Sequence, residues 1–356
     1  MKSDRIIMHL DMDYFFAAIE ENRQPELRGR PLVVGADQKK GRGRGVVSTC
    51  NYEARMFGIR PGMPISQAYR LCPDARYLPV DFESYRKVSD RIMHIARKYA
   101  AKTEQTSIDE VFLDLSRAGS YEKAAEIAEK IRKEIFEKEN LTASAGIGWN
   151  KTISKLATDL KKPNGLAVVK PDEIREKIWP LPVGKIPGIG AKAEETLKGM
   201  GIRAIEDLAK TPVNRLIEEL GSVGFDFHHL AQGMDESELS EEWEPKSFSR
   251  EHTFEADTDD SELLLKTIEK LAKTVHRDAT DYGVSFRTVT VKARYEDFET
   301  HTRSRTTKST NSYEAVLSEA KELIKPFLFS SKKIRLVGLK LSKFERKTGQ
   351  KSLKEF

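Results

Sequence analysis

The sequence predicts an α+β fold that is divided into several domains, and three observations carry this prediction. The chain has 356 residues, 38% of them hydrophobic, which is enough for two or more domains with separate cores. Without one insert rich in glycine and proline, its first half has the element order β-α-β-β-α-β, typical of a ferredoxin-like sheet. Its last third again mixes amphipathic helices with strands, which indicates a second α+β domain.

The first half is predicted element by element from its hydrophobic periodicity. Its helices would cover one face of an antiparallel sheet and leave the other face open for a site. Asp13 is expected to cap the first helix and Asn150 the last one. The predicted elements are strands at 6–11, 111–115 and 141–148, helices at 14–20, 85–101, 121–139 and 150–160, and an insert at about 23–80.

The second half changes character twice. Residues 171–233 are predicted to be helical with glycine-rich turns, and the acidic run 235–244 is predicted to be an exposed tether between domains. The last domain is expected to contain helices at 262–279 and 313–327 and strands at 285–295, 300–308 and 333–342.

Composition excludes several classes of protein. The net charge of +5 is compatible with a polyanionic partner but also with an ordinary surface. Cys50 and Cys72 are too few for a disulfide framework and lack the spacing of a metal site, which favours a reducing intracellular compartment. No stretch approaches the about 20 apolar residues that span a bilayer.

Three acids are predicted to meet on this sheet. Asp11 ends the first strand, and Asp109 and Glu110 precede the strand 111–115, its expected neighbour. We expect Asp109 to lie on the open face and Glu110 to approach from the strand's edge. Such carboxylates suit two divalent cations about 4 Å apart in a phosphoryl displacement. The alternative is that each acid is only a strand-end or turn residue.

Three motifs resemble those of the Y-family translesion DNA polymerases, of the DNA polymerase IV type. They are Asp11-Met12-Asp13-Tyr14-Phe15-Phe16, Ser107-Ile108-Asp109-Glu110 and Lys162-Pro163-Asn164-Gly165, in the family's order. The resemblance covers nearly the whole chain and implies a palm, small fingers, a helical thumb and a little finger domain. The expected bounds are 1–22 and 81–170 for the palm, 23–80 for the fingers, 171–235 for the thumb, 236–246 for a linker, 247–345 for the little finger and 346–356 for a clamp-binding tail.

The resemblance also implies the active-site residues. Asp11, Asp109 and Glu110 would hold two Mg²⁺ ions, with the backbone carbonyl of Met12 as a further ligand. Phe16 would be a steric gate that excludes a ribose hydroxyl. The residues expected around the nucleotide are Thr49, Tyr52, Arg55, Lys162 and the backbone amides of Tyr14 and Phe15 at the triphosphate, with the small Ser48 and Gly62 over the nascent base pair.

Two further segments are expected to hold DNA. Lys185, Gly188 and Gly190 belong to a sequence with the form of a helix-hairpin-helix, whose amides would bind a phosphate, although a simple helical turn is the alternative. Basic rows on an open sheet of the last domain would follow a duplex backbone, or would be solvated strand faces. The residues in these rows are Lys292, Arg294, Arg303, Arg305, Arg335 and Lys340.

The last residues suggest a protein partner. Gln350, Leu353 and Phe356 recur every three residues, so a 3₁₀ turn would align them. This is similar to the peptide that binds trimeric sliding clamps, although it ends after one aromatic residue instead of two. The alternative is a frayed polar terminus.

The predicted function is template-directed DNA synthesis of low fidelity across lesions, which releases pyrophosphate by two-metal phosphoryl transfer. The expected partners are primer-template DNA, deoxynucleoside triphosphates and a sliding clamp, and the protein is expected to be a monomer associated with the nucleoid in the cytoplasm, without membrane contact. The alternatives are a nucleotide cyclase with a related palm and a DNA-binding module without catalysis.

Overall fold

The computed structural model describes residues 5–241 and 244–346, and no helix in these ranges is long and apolar enough to cross a membrane. The chain forms two compact units, residues 1–242 and 243–356, each described by itself below. The first unit contains β1 Ile7–Asp11, α1 Phe15–Arg23, β2 Leu32–Gly35, β3 Val47–Cys50, α2 Tyr52–Met56, α3 Ile65–Leu71, β4 Arg76–Leu78, α4 Phe82–Arg97, β5 Thr103–Gln105, β6 Glu110–Asp114, α5 Tyr121–Glu139, β7 Ser144–Gly148, α6 Lys151–Leu160, β8 Leu166–Val168, α7 Ile174–Lys177, α8 Ala191–Gly199, α9 Ile205–Lys210, α10 Val213–Leu220 and α11 Ser222–Ala231.

The central sheet of the first unit has the strand order β5-β6-β1-β7-β8, and β1 is antiparallel to both of its neighbours. Without the added edge strand β8, this is the ferredoxin-like order, so the predicted fold class is confirmed. Leu10, Val111 and Ile147 point from this sheet into a core that includes Ile92 of α4 and Ile131 of α5. The apolar faces of these two helices are therefore buried against the sheet, as their hydrophobic periodicity predicted.

The second face of the sheet is less open than predicted, because α6 lies against it. A Cβ atom at Gly146 would lie 2.2 Å from the backbone oxygen of Ser154, and one at Gly148 would lie 2.6 Å from the side chain of Ile153. These two glycines therefore let the backbone of α6 approach β7 directly. Asn150 caps α6 as predicted, since its side chain accepts a hydrogen bond from the backbone of Ile153.

The insert after α1 forms its own small sheet, in the order β3-β2-β4, covered by α2 and α3. Its junction with the rest of the unit is Asn51, which is fully buried. The amide of Asn51 accepts hydrogen bonds from the backbone of Leu32 and Ala54 and donates to Arg30 and Glu21. One side chain thus satisfies four polar groups at the point where the insert joins α1.

The acidic run after α11 is not the exposed tether that its composition predicted, at least over residues 235–241. Leu239 is 4% exposed and packs on Ile7 and Phe112 of the sheet. Asp235 accepts hydrogen bonds from the backbone and hydroxyl of Thr152, which tie the run to the start of α6. One leucine among acids carries too weak a hydrophobic pattern to predict such docking.

The second unit contains β9 Ser247–Thr258, α12 Ser261–Asp281, β10 Val284–Tyr295, β11 Thr300–Thr310, α13 Tyr313–Leu328 and β12 Ile334–Arg346. Its strands form an antiparallel sheet in the order β11-β10-β12-β9, with α12 and α13 on one face. The sequence did not predict β9. Among these twelve residues only Phe254 is buried, so this edge strand has no alternating pattern to reveal it.

Candidate active site

The two strands that carry the acids are paired in register. Asp11 lies directly opposite Glu110, and His9 lies opposite Phe112. Because directly opposed residues share a face of the sheet, Glu110 and Asp11 both point away from the helices α4 and α5. This corrects the expected roles of the two adjacent acids: Glu110 is the regular strand residue, and Asp109 approaches from the turn before it.

The turn before β6 holds Asp109 beside the end of β1. The backbone amide of Met12 donates to the carbonyl of Asp109 at 3.1 Å, so the peptide that carries Met12 is adjacent to all three acids. The side chain of Asp109 accepts a hydrogen bond from the hydroxyl of Ser107 at 2.5 Å. The three carboxylates therefore lie at one end of the strand pair, although residues 5–241 and 244–346 contain no ready cluster of three metal-ligating side chains.

Two lysines engage the acids. Lys162 donates to Asp11 at 2.7 Å, and Lys155 donates to both carboxylate oxygens of Glu110 at 2.7 Å. Lys162 belongs to a sequence motif that identified it, whereas Lys155 lies outside all the motifs and was not predicted. Its only signal was its place on the face of α6 that carries no apolar residue, and that placement matters only once α6 is known to cover the sheet.

His9 is a second residue that sequence reasoning missed. Its ring is 1% exposed and lies 2.9 Å from the hydroxyl of Thr158 and 3.9 Å from a carboxylate oxygen of Glu110. Burial lowers the pKa of His9, so a neutral ring fits this position. His9 lies within an apolar strand pattern, and that pattern does not predict that its ring lies between α6 and Glu110.

The electrostatics of the acids suit a cation. Burial raises the pKa of Asp11 to about 7, although Lys162 acts in the opposite direction. Burial alone would also raise the pKa of Glu110, but its neighbours His9 and Lys155 outweigh burial and hold that pKa below its ordinary value. Carboxylate oxygens are the ligands that Mg²⁺ prefers, so Asp11, Asp109, Glu110 and the Met12 carbonyl fit a divalent ion chemically.

Residues expected at the triphosphate form one wall beside the acids. The guanidinium of Arg55 lies 4.6 Å from the ring centre of Tyr52, and the ring of Tyr14 meets Tyr52 edge-on at 5.3 Å. The hydroxyl of Tyr52 is buried and has no hydrogen-bond partner among residues 5–241 and 244–346. A buried donor without a partner is uncommon, and a phosphate oxygen would supply one. Thr49 lies on β3, three residues before Tyr52.

The expected gate residue, Phe16, rests on a rigid aromatic support. Its ring stacks on Tyr85 with the centres 4.4 Å apart and the planes 16° apart. Tyr85 is fully buried and donates a hydrogen bond to Glu20 at 2.8 Å. Phe15 points into the core, whereas Phe16 is half-buried at the start of α1. A ring held in this way can exclude a substituent by steric contact.

The two small residues expected above the base pair are neighbours. The amide of Gly62 donates to the carbonyl of Val47 at 2.9 Å, and Ser48 follows Val47 on β3. Both Ser48 and Gly62 are exposed, so their surface is available to a ligand.

Asp13 does not cap α1, which corrects the expectation from sequence. Its carboxylate instead accepts hydrogen bonds from the hydroxyls of Thr142 and Ser144 and from the backbone amide of Asn164, at 2.8, 2.5 and 3.1 Å. Asn164 belongs to the turn that follows Lys162. Asp13 follows β1, the strand that carries Asp11, and therefore ties this turn to β1 and to the start of β7, which helps to place Lys162.

The sequence expected to form a helix-hairpin-helix contains a tight turn before α8. Gly188 has a φ of 93°, and Gly190 occupies the N-cap of α8 without a side-chain cap. Amides at this N-terminus are thus left for an anion. Lys185 forms an ion pair with Asp159 of α6 at 3.0 Å.

The basic rows of the second unit lie on two faces, not on one open face. Arg303 and Arg305 are opposite Val291 and Val289, whose side chains are in the core, and Arg305 bonds Glu319 of α13 at 2.9 Å. These two arginines therefore project on the side that carries the helices, which is a correction. A period of two predicts which residues share a face but not which face a helix covers.

The remaining cations of these strands are placed differently. Lys292 and Arg294 alternate with the buried residues of β10, as Lys340 does on β12, so these three point to the uncovered face. Lys292 pairs with Glu251 at 2.8 Å, and Arg335 lies 4.6 Å from the ring of Phe298. Gln350, Leu353 and Phe356, expected to bind a clamp, lie outside the described residues.

Comparison with known families matches most of the chain. The profile of the impB/mucB/samB family matches residues 10–159, its C-terminal domain matches residues 245–353, and its helix-hairpin-helix motif matches residues 171–202. These ranges include all three acids, the basic strands of the second unit and the turn at Gly188.

Individual relatives agree. The chain is 48% identical to a DNA polymerase IV of Methanoculleus marisnigri, over 99% of this chain and 98% of that protein. It is 45% identical to DNA polymerase IV 2 of Methanosarcina mazei, over 98% of this chain and 95% of that protein. A Y-family DNA polymerase chimera has a TM-score of 0.87 and 33% identity, over 96% of this chain and all of that structure. The chain therefore belongs to the Y family of DNA polymerases, of the DNA polymerase IV type.

Proposed function

We propose that Asp11, Asp109, Glu110 and the carbonyl of Met12 are the metal ligands with which this translesion DNA polymerase joins a deoxynucleotide to a primer. Relatives of this family imply a divalent metal, and we assign it as two Mg²⁺ ions. The observation that carries the assignment is the register of Asp11 opposite Glu110, with Asp109 bonded to the amide of Met12. When bound, the ions would activate the primer 3′-hydroxyl and neutralise the leaving pyrophosphate.

The chain's own residues would place the nucleotide. Arg55 and Lys162 would neutralise phosphate oxygens, and the hydroxyls of Thr49 and Tyr52 would donate to them, together with the amides of Tyr14 and Phe15. The partnerless hydroxyl of Tyr52 supports this role. Phosphoryl transfer then needs mostly positioning and charge stabilisation, which such a wall supplies.

Selectivity would come from two surfaces. Phe16, supported by Tyr85, would meet the sugar and exclude a ribose hydroxyl. Ser48 and Gly62 would cover the base pair with so little side-chain volume that a distorted template base still fits. Low fidelity would follow from the same lack of contact, because few groups discriminate a wrong pair.

The remaining proposals concern the binding of DNA, the sliding clamp and the oligomeric state. The amides at Gly188 and Gly190 with Lys185, and the uncovered cations Lys292, Arg294 and Lys340, would hold DNA by its phosphates without reading sequence. Arg303, Arg305 and Arg335 do not belong to the uncovered face of the sheet. They would attract DNA only through the positive charge that they add to the second unit. The tail would bind a sliding clamp, and we propose a monomer associated with the nucleoid.

Primer extension tests the catalytic assignment. Wild type with Mg²⁺ and four deoxynucleotides should extend a primed template, whereas Asp109→Ala/Glu110→Ala should bind the same DNA without extending it. Asp114→Ala, at the other end of β6, is the matched control and should extend. Extension by the double variant at the wild-type rate would refute the assignment of these acids.

A further inference from the structure

The fingers carry a basic loop that none of the proposed roles uses. Residues 39–45, between β2 and β3, read Lys-Lys-Gly-Arg-Gly-Arg-Gly. We call the cations of this segment, Lys39, Lys40, Arg42 and Arg44, the basic ridge. A charged surface loop is ordinarily solvated and has no specific role. The packing of this segment shows whether its conformation is fixed by the rest of the fingers.

The glycines of the loop face the body of the fingers. A Cβ atom at Gly43 would lie 2.1 Å from the backbone oxygen of Asp37, and one at Gly45 would lie 2.1 Å from the Cβ of Ala36. Gly41 has a φ of 84°, which a side chain disfavours. Only glycine permits this close approach, so the backbone lies directly on the end of β2 and on α3.

The same packing leaves three of the four cations exposed at the surface. The amides of Gly41 and Gly43 both donate to the carbonyl of Gln38, at 2.8 and 2.9 Å, which fixes the path of the loop. Lys39, Lys40 and Arg42 are exposed, and within the described ranges Lys40 and Arg42 form no ion pair with an acid. A rigid row of like charges favours an extended polyanion over a single small anion.

Strand β3 relates the ridge to the nucleotide site. Tyr52 and Arg55 follow the C-terminal end of β3 and face the triphosphate in the proposed function, and Ser48 within β3 covers the base pair. The ridge precedes the N-terminal end of the strand. Four residues of about 3.3 Å each span roughly 13 Å, comparable to the width of a base pair. The order triphosphate, base pair, ridge therefore puts the ridge on the template side.

We propose that the basic ridge binds the phosphodiester backbone of the single-stranded template just ahead of the templating base. The inference rests on the proposed function, because Ser48, Tyr52 and Arg55 supply its geometry. Behind the new pair the template is already in a duplex, so a contact on the template side ahead of that pair would meet unpaired template. The contacts would be to phosphates, so they would hold any template sequence and weaken with salt.

Binding of DNA with different overhangs tests the ridge. Fluorescence anisotropy would compare hairpin primer-templates with a 5′ template overhang of one or eight nucleotides. Wild type should bind the long overhang about fivefold more tightly, and Lys40→Asn/Arg42→Gln should lose this gain. Two lost phosphate contacts should also reduce the log–log salt slope on the long overhang by about 1.4. Asparagine is chosen because Lys40 has a φ of 53°, which asparagine tolerates.

A matched control removes the same charge elsewhere on the fingers. Arg70 and Arg76 are both exposed, and Arg70→Gln/Arg76→Gln should keep the fivefold gain. The inference is overturned if the ridge variant keeps the gain, or if it loses affinity equally on both overhangs. Extension of the one-nucleotide overhang by wild type distinguishes failure of the ridge inference from failure of the proposed function. If wild type extends this DNA but does not bind the long overhang more tightly, only the ridge inference fails. If wild type does not extend it at all, the proposed function is rejected.

Discussion

At the scale of single residues, the proposed active site consists of charged groups that already have partners. Lys155 holds Glu110, Lys162 holds Asp11 and Ser107 holds Asp109. Three carboxylates against two ammonium groups leave a net negative charge, which favours an added cation. The neighbours of the acids are therefore as much a part of the site as the acids themselves.

Phe16 gives a prediction about sugar selection. Phe16→Ala removes the ring that would meet a ribose hydroxyl, so discrimination against ribonucleotides should fall by at least about tenfold. Single-nucleotide incorporation with matched deoxy- and ribonucleotides measures it. Phe136→Ala, an exposed phenylalanine of α5, is the control and should leave selection unchanged. Equal selection by wild type and Phe16→Ala would contradict the gate.

Tyr52 gives a prediction about the triphosphate. Tyr52→Phe removes a buried hydroxyl that has no hydrogen-bond partner in the part of the chain that the structure describes, so the free energy of unfolding should not fall. The KM for the nucleotide should nevertheless rise by about tenfold, because a hydrogen bond to a phosphate is lost. Tyr121→Phe, on α5, removes another buried hydroxyl that lacks a partner among the described residues, and it should leave KM unchanged. An unchanged KM in Tyr52→Phe would remove Tyr52 from the site.

At the scale of elements, short polar links place the functional groups on their strands and helices. Asp13 connects β1, β7 and the turn after Lys162, and Asn51 connects the fingers to α1. Gly146 and Gly148 admit α6, which brings Lys155 to the acids. Each link joins segments that are distant in the sequence.

Asp13 gives a prediction about positioning. Asp13→Ala removes the acceptor of three hydrogen bonds, which should lower the free energy of unfolding by about 1–3 kcal/mol. Because the turn that carries Lys162 loosens, the KM for the nucleotide should rise more than kcat falls. Thr142→Val removes one donor only and should change both quantities less. A fall in stability with unchanged KM would make Asp13 purely structural.

Asp235 gives a prediction about pH. Burial alone would raise its pKa, but hydrogen bonds from Ser237 and Thr152 outweigh burial and lower the pKa. Its stabilisation is therefore complete above the ordinary value of about 3.9 and is lost as the pH falls through the lower folded value. Asp235→Asn should cost about 1–2 kcal/mol at pH 7 and progressively less below pH about 4.

Denaturant unfolding at several pH values checks this prediction. Asp226→Asn is the control, since Asp226 is exposed on α11 and should show no such dependence. A difference between wild type and Asp235→Asn that stays constant down to pH about 2 would show that the carboxylate does not hold the start of α6.

At the scale of the whole molecule, the polymerase consists of two units, each with its own hydrophobic core. The three acids of the proposed metal site and the helix-hairpin-helix belong to the first unit, and the uncovered cations Lys292, Arg294 and Lys340 belong to the second. Membership of the Y family explains why both are present, because the enzyme must hold DNA as well as extend it. A nucleotide cyclase would use similar acids but needs neither a helix-hairpin-helix nor a second, DNA-binding unit.

The division into units gives a prediction about fragments. Residues 1–242 alone should fold and extend primers in Mg²⁺, but with weaker DNA affinity and a smaller salt slope than the full chain. Residues 243–356 alone should bind DNA weakly and never extend it. Circular dichroism, anisotropy and primer extension on both fragments check this. A first fragment with the full chain's affinity would contradict a DNA-binding role for the second unit.

The sequence by itself determined the fold class, most helices and strands, and the three acids that the pairing of β1 with β6 brings to one place. Those features follow from local periodicity and short motifs, which reside in contiguous residues. It did not determine that α6 covers the sheet, that Leu239 docks, which face carries Arg305, or that His9 and Lys155 meet Glu110. Only the tertiary structure decided these, because each depends on which surfaces of distant segments pack together, and no local pattern encodes that choice.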